Sequence, residues 1–119
     1  MEDNVTTVRQ LRDFVDAFID ARQWTQFHSP KNLSISIALE AAELMEKFQW
    51  CDNGQSYKEA EKNKEEVSQE LADVIITALC FARTANIDVA KAVQKKMEIN
   101  AKHYPASKAK GRCEKYDKL

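Results

Sequence analysis

The 119-residue sequence predicts an all-α fold, a four-helix bundle that assembles as a homo-oligomer. Three observations carry that expectation. Apolar residues recur at three- and four-residue intervals, and no stretch shows the strict alternation of a strand. Helix breakers are scarce, with glycine only at 54 and 111 and proline only at 30 and 105, so four points punctuate the chain. Two of the helical segments are apolar around most of their circumference, which calls for cover on most sides and hence for further copies of the chain.

The first helix is expected from about Thr7 to Arg22, with Val8, Leu11, Phe14, Val15 and Phe18 as its apolar face. The connection Gln23 to Pro30 is unusually aromatic for a loop, holding Trp24, Phe27 and His28. A second helix runs from about Lys31 or Asn32 to Trp50, and Ile35, Leu39 and Ala42 lie opposite Leu33, Ile37 and Leu44 on it. The turn Cys51 to Gln55 ends it, and Ser56-x-x-Glu59 reads as a capping box for the third. That third helix is expected to reach Ala85, about 30 residues or roughly 45 Å. Its charged first half, Lys58 to Glu66, is a solvated face to which no chemistry is assigned, since Glu61/Glu65 and Lys58/Lys62 repel at i,i+4. Asp88 caps a fourth helix through about Lys102, with Val89, Val93 and Met97 turned inward. Residues 1–104 form the expected domain. The basic tail 105–119, with Lys108, Lys110, Arg112, Lys115 and Lys118, is expected to be disordered or to fold over a neighbouring subunit.

Composition narrows the partners. A net charge of −1 and a pI near 6.1 argue against a nucleic-acid polymer or an anionic membrane, and leave free nucleotides open. Cys51, Cys80 and Cys113 are odd in number and form no C-x-x-C pair, so neither a disulfide framework nor a zinc site is indicated. Cys80, in an apolar helix, reads as a small core residue. The start Met-Glu-Asp-Asn lacks a secretory pattern, and the longest apolar stretch, Val74 to Ala82, falls short of the roughly 20 residues that cross a bilayer. A cytoplasmic protein is expected.

Two acidic pairs carry the chemistry: Glu40-x-x-Glu43 in the second helix and Glu70-x-x-Asp73 in the third. Residues three apart share a helix face, so each pair offers two carboxylates to one point. Glu40 falls between Leu33, Ile37 and Leu44, while Asn63, Glu66, Glu70, Asp73 and Thr77 form one polar line that runs into the apolar stretch. Carboxylates entering a core must take up protons, find cationic partners or bind metal. No Lys or Arg lies between Glu70 and Ala82, which makes metal the simplest of the three. Carboxylates without nearby Cys or His favour Mg²⁺, with Mn²⁺ as the alternative, and Mg²⁺ is commonly shared with substrate phosphates. A di-iron site would need Glu-x-x-His on two helices, and His28 and His103 have no such spacing.

The two pairs, with 26 residues between them, resemble the signature of the MazG-like all-α nucleotide pyrophosphohydrolases. Four ordered strings extend the resemblance, closest to the dCTP-hydrolysing branch, over roughly residues 8–118. They are W-T-Q-F-H-S-P-K-N-L from Trp24, E-L-M-E-K-F-Q-W from Glu43, E-L-A-D-V-I-I from Glu70 and K-M-E-I-N-A-K-H-Y-P from Lys96. The resemblance implies a four-helix MazG-like bundle working as a homo-dimer or homo-tetramer. It implies hydrolysis of a nucleoside triphosphate, dCTP or a related or modified pyrimidine dNTP, to the monophosphate and pyrophosphate. Glu40, Glu43, Glu70 and Asp73 would hold Mg²⁺ and form the catalytic set, one of them orienting the attacking water. Trp24, Phe27, His28 and Trp50 would line the base pocket, and Lys96 and Asn100 would approach the nucleotide. Tyr104 would reach the site or anchor the tail. This chain departs from the family pattern in three places: Thr77 stands where a Tyr contacting the nucleotide is usual, Val15 where a His is usual, and Leu39 where the broader family has Glu. The dCTP-type branch also lacks that Glu. Two other readings use the same residues, a non-catalytic helical oligomer that binds nucleotide or a protein partner, and an all-α dUTPase-like activity.

Overall fold

The first helix begins where the sequence supplies a reciprocal cap. In the computed structural model, which describes all residues Met1–Leu119, the Thr7 hydroxyl accepts the Gln10 N–H at 3.1 Å and the Gln10 side chain accepts the Thr7 N–H at 2.8 Å. Helix α1 (Val8–Ala21) follows and ends as Gln23 turns left-handed, at φ 54°. The aromatic connection is itself helical, a 3₁₀ turn over Trp24–Phe27. Ser29 then caps α2 (Pro30–Glu46), with Pro30 in its first turn, where a missing N–H costs nothing.

Six α-helices form instead of four. The expected third helix is two, α3 (Asn53–Lys62) and α4 (Lys64–Thr84), broken at the single residue Asn63. Asn63 is held in that break because its amide donates to the Glu59 carboxylate at 2.7 Å and its N–H to the Glu59 carbonyl at 3.0 Å. The capping box that starts α3 is Asp52 with Gln55 rather than Ser56 with Glu59, and the Ser56 hydroxyl donates to the Asn53 carbonyl instead. α2 also ends four residues short of Trp50. At the far end of α4, Asn86 takes φ 54° and the Ile87 N–H reaches the Ala82 carbonyl at 2.8 Å, which satisfies the last carbonyls as a left-handed C-cap does.

The chain divides into two compact units, Met1–Ile87 and Asp88–Leu119. In the first, α2 and α4 pack along most of their length, while α1 and α3 each rest on α4. The core is small: Val15 and Ile19 from α1, Leu33 from α2, and Leu79, Cys80 and Ala82 from α4. The prediction that α2 is buried on most sides is not met within one chain, where Ile35 is 49%, Leu39 60% and Met45 54% exposed. Phe14 and Phe18, assigned to the inner face of the first helix, are 66% and 49% exposed.

The second unit holds α5 (Val89–His103), capped by Asp88, whose carboxylate accepts the Lys91 N–H at 2.9 Å. None of its side chains is buried, so Val93 and Met97 do not face a core within the chain. The tail is ordered: α6 (Ala106–Ala109) and a 3₁₀ turn over Tyr116–Lys118 bring the Tyr116 ring flat against His103, centroids 4.1 Å apart, and edge-on to Tyr104 at 6.0 Å. Tyr104 thus contacts the tail through Tyr116. No helix of the chain is long and apolar enough to cross a membrane.

Candidate functional site

α2 carries Ser36, Glu40, Glu43 and Lys47 at steps of four, three and four, which keep to one helix face. α4 carries Thr77, Asp73, Glu70 and Glu66 at the same steps in reverse. The helices run antiparallel, and the two stripes meet in a polar seam. At one end the Lys47 ammonium pairs with Glu66 at 3.2 Å. One turn inward, the carboxylates of Glu40, Glu43 and Glu70 bring an oxygen each within 4.8 Å of one another. Asp73 is next along α4. It falls outside that three-oxygen group but lies close enough to act on Glu40.

The seam sits at the edge of the fold rather than in its core. Glu40 and Glu70 are half-buried and Glu43 and Asp73 exposed, which corrects the expectation of a carboxylate stripe entering the interior. Their proximity still perturbs ionisation. Desolvation first, then the hydrogen bond with Glu43, then the charges of Glu43, Asp73 and Glu70 hold the Glu40 carboxyl above its ordinary value of 4.5. Lys47 is a cation near these acids that the sequence reading did not consider, and Glu66 already engages it. The cluster contains only carboxylate oxygens, a donor set suited to a hard divalent ion such as Mg²⁺ or Mn²⁺.

Beyond Asp73 the seam opens into a cavity of about 740 Å³. Asp73, Ile76, Thr77 and Cys80 of α4 form one side, and Asn32, Leu33 and Ser36 of α2 another. Trp24, Phe27 and His28 close one end, and α1 supplies a wall of Phe14, Val15, Ala17, Phe18 and Ile19. The Asn32 amide donates to the Phe27 carbonyl at 3.2 Å, tying the aromatic turn to α2, and Trp24 meets Phe18 edge-on at 5.8 Å. The Thr77 hydroxyl is turned back on its own helix, donating to the Asp73 and Val74 carbonyls at 2.9 and 3.0 Å. Cys80 is buried against this cavity, and burial, then the Asp16 carboxylate, raise its thiol pKa.

The MazG-like family profile matches residues 35–119, a span that holds both acidic pairs. The chain belongs to the MazG-like family. It is 35% identical over 115 residues to human (Homo sapiens) dCTP pyrophosphatase 1, covering 95% of this chain and 68% of the human protein. The rat (Rattus norvegicus) dCTP pyrophosphatase 1 is 34% identical with the same coverage. Among solved structures, a pyrophosphatase from Archaeoglobus fulgidus superimposes with a TM-score of 0.80 at 39% identity, covering 88% of this chain and 98% of that one.

Within this MazG-like chain the structure brings some of the expected residues together and separates others. Trp24, Phe27, His28, Thr77 and Asp73 line one cavity. Trp50 does not: the early end of α2 leaves it on the following turn, 89% exposed and away from the cavity. Lys96 and Asn100 lie one turn apart on α5, in the second unit. Asn32, Ser36 and Cys80 were not identified as site residues from sequence. The signal was present for two of them, because Asn32, Ser36 and Glu40 repeat every four residues along an otherwise apolar helix. Cys80 continues the Glu70–Asp73–Thr77 line but, being apolar in character, passes for core.

Proposed function

We propose that this MazG-like protein hydrolyses deoxynucleoside triphosphates, dCTP or a related or modified pyrimidine, to the monophosphate and pyrophosphate. The observation that carries the reading is the convergence of Glu40, Glu43 and Glu70 in a seam whose next carboxylate, Asp73, lines an aromatic cavity, in a chain whose relatives are named dCTP pyrophosphatase 1. The chain is a nucleoside triphosphate pyrophosphatase on this reading, and residues 1–104 are its catalytic domain.

Glu40, Glu43 and Glu70, with Asp73 beside them, would hold Mg²⁺ or Mn²⁺. When bound, the ion neutralises the triphosphate and stabilises charge that develops during in-line displacement. One carboxylate of the set would orient a water toward the α-phosphorus and accept the proton it loses. The new P–O bond forms as the bond from that phosphorus to the α,β-bridging oxygen breaks, and pyrophosphate leaves with the bridging oxygen. Trp24, Phe27 and His28 present ring faces and edges to the base. Thr77 offers its methyl group rather than its hydroxyl, since the hydroxyl is engaged by the helix backbone. Lys96 and Asn100 are assigned to the triphosphate, and Trp50 to the base pocket of an assembled oligomer.

Exposed Ile35, Leu39, Leu71, Ile75, Val93 and Met97 support a homo-dimer or homo-tetramer, because so much unpartnered apolar surface is atypical of a monomer. Light scattering after size exclusion should give two or four copies, and a monomer at micromolar concentration would remove that part of the reading. A cytoplasmic role in trimming the nucleotide pool goes with the assignment. Incubation with a panel of nucleoside triphosphates, dCTP and dUTP side by side, with Mg²⁺ or with EDTA, tests the reaction. Metal-dependent monophosphate plus pyrophosphate is expected, with the pyrimidine deoxynucleotides turned over fastest. Release of inorganic phosphate alone, or no turnover of any substrate, would refute it.

A further inference from the structure

The wall that α1 contributes to the cavity is held by unusual means. Only Val15 and Ile19 of this helix are buried, and Phe14 and Phe18 are exposed. Apolar contact alone therefore anchors α1 weakly. Its firmest ties to α4 are polar. Asp16 and Asp20, one turn apart on α1, both face Arg83, which follows Cys80 by three residues at the floor of the cavity. One arm of the guanidinium donates to Asp20 at 2.8 Å. The other is buried without a hydrogen-bond partner and stands 3.6 Å from Asp16, beyond hydrogen-bond length. A third tie runs from Arg12 to the Ile87 carbonyl at 2.9 Å.

We propose that Arg83 is a positioning residue: its fork on Asp16 and Asp20 sets the distance of the α1 wall from α4, and with it the width of the nucleotide pocket. The fork is hydrogen-bonded to Asp20 and ion-paired to Asp16 at 3.6 Å. Without Arg83, the two carboxylates on one turn of α1 repel each other and have no cation on α4 to hold them. The carboxylate cluster is on α2 and α4, which pack together without α1, so the chemistry is expected to be insulated from the clamp. Base selection and affinity depend on Arg83, and the rate of the chemical step does not.

The inference rests on the proposed nucleotide pocket, and its test has one arm that does not. With a triphosphate the wild type hydrolyses, Arg83→Met should raise KM about tenfold while kcat stays within about twofold. Arg83→Lys should recover only part of the loss, because an ammonium cannot fork across both aspartates. In the second arm, Trp24, packed on Phe18 of α1, reports wall position by fluorescence in a Trp50→Phe background. Acrylamide should quench Trp24 more strongly in Arg83→Met than with Arg83 retained. Should Arg83→Met fail to fold, Asp20→Ala removes the 2.8 Å arm alone and is expected to move KM and quenching in the same direction by less. A lower melting temperature with unchanged KM and unchanged quenching would reduce Arg83 to a structural tie and overturn the proposal. So would a fall in kcat as large as the rise in KM. If the wild type turns over no triphosphate, the proposed function fails, and unchanged or increased quenching still decides the clamp.

Discussion

The α2–α4 seam and the α1 wall border the same cavity, yet they are built on different physical terms. The seam joins two long helices that pack along most of their length, and its polar residues run from Ser36 and Thr77, which share the cavity lining, through Glu40, Glu43 and Glu70 to the Lys47–Glu66 pair. The wall is one amphipathic helix resting on two buried side chains, a guanidinium fork and one backbone tie. Rigidity is concentrated where oxygen atoms must meet to within a few ångströms. The part that must admit a bulky ligand is held loosely. Changes to the seam should therefore abolish turnover with little effect on binding, and changes to the wall should do the reverse.

The largest effect is expected at the seam. Glu43→Gln keeps the shape of the side chain and removes one charge from the cluster, so kcat should fall by about a thousandfold or more, as for loss of an electrostatic catalytic group. Circular dichroism should be unchanged, because Glu43 is exposed and carries no packing. Retained turnover in this variant would place the metal and the chemistry elsewhere.

A change of pH probes the same seam without mutation. The folded Glu40 pKa lies above its unfolded value, so in metal-free protein the associated stability is fully present below that unfolded value and is lost as pH rises through the folded one. Urea midpoints in EDTA should accordingly decline from 4.5 toward neutrality relative to a Glu40→Gln variant. Mg²⁺, which needs the ionised cluster, should reverse the decline and bind more weakly as pH falls. Identical pH profiles for wild type and variant would show that Glu40 ionises as it does in the unfolded chain.

At the wall, Ile19→Ala removes a buried side chain that also lines the cavity, at a cost of about 2–4 kcal/mol in stability. KM should rise in the folded protein with kcat much less affected. Trp24→Ala should cost about 1–3 kcal/mol in affinity, the range for one base–aromatic contact. Equal losses of kcat and KM from either substitution would mean that wall and seam move as one body.

The seam was largely legible in the sequence because helical periodicity places carboxylates at fixed steps. Glu40, Glu43, Glu70 and Asp73 could be assigned to two faces before either helix was seen. Their register was not legible, since it depends on packing between α2 and α4 that helical periodicity does not encode, and so Asp73 was grouped with three carboxylates that meet more closely without it. The α3–α4 break was hidden because Lys62-Asn63-Lys64 contains no glycine or proline; a local bond from Asn63 to Glu59 makes it. α1 was read as a packing helix from the face Val8, Leu11, Phe14, Val15 and Phe18, of which Val15 is buried while Phe14 and Phe18 are not. Those same side chains instead face open space and a cavity, a distinction that amphipathicity alone does not encode.

α3 offers the smallest test and a boundary for the comparison, since it touches α4 but lines neither the seam nor the wall. Its start depends on Asp52, which accepts the Gln55 N–H at 2.8 Å while Gln55 returns a bond to the Asp52 N–H. Asp52→Ala removes that cap and should cost about 1 kcal/mol, which in a domain of this size lowers the melting temperature by about 3–6 °C. Both kcat and KM should stay at wild-type values, because the break at Asn63 uncouples α3 from the carboxylate-bearing half of α4. A change in kcat here would mean that order is transmitted through Asn63 to Glu66, whose pairing with Lys47 closes the end of the seam. The seam would then begin one helix earlier than its carboxylates indicate, and its rigidity would depend on a cap more than ten residues away in sequence.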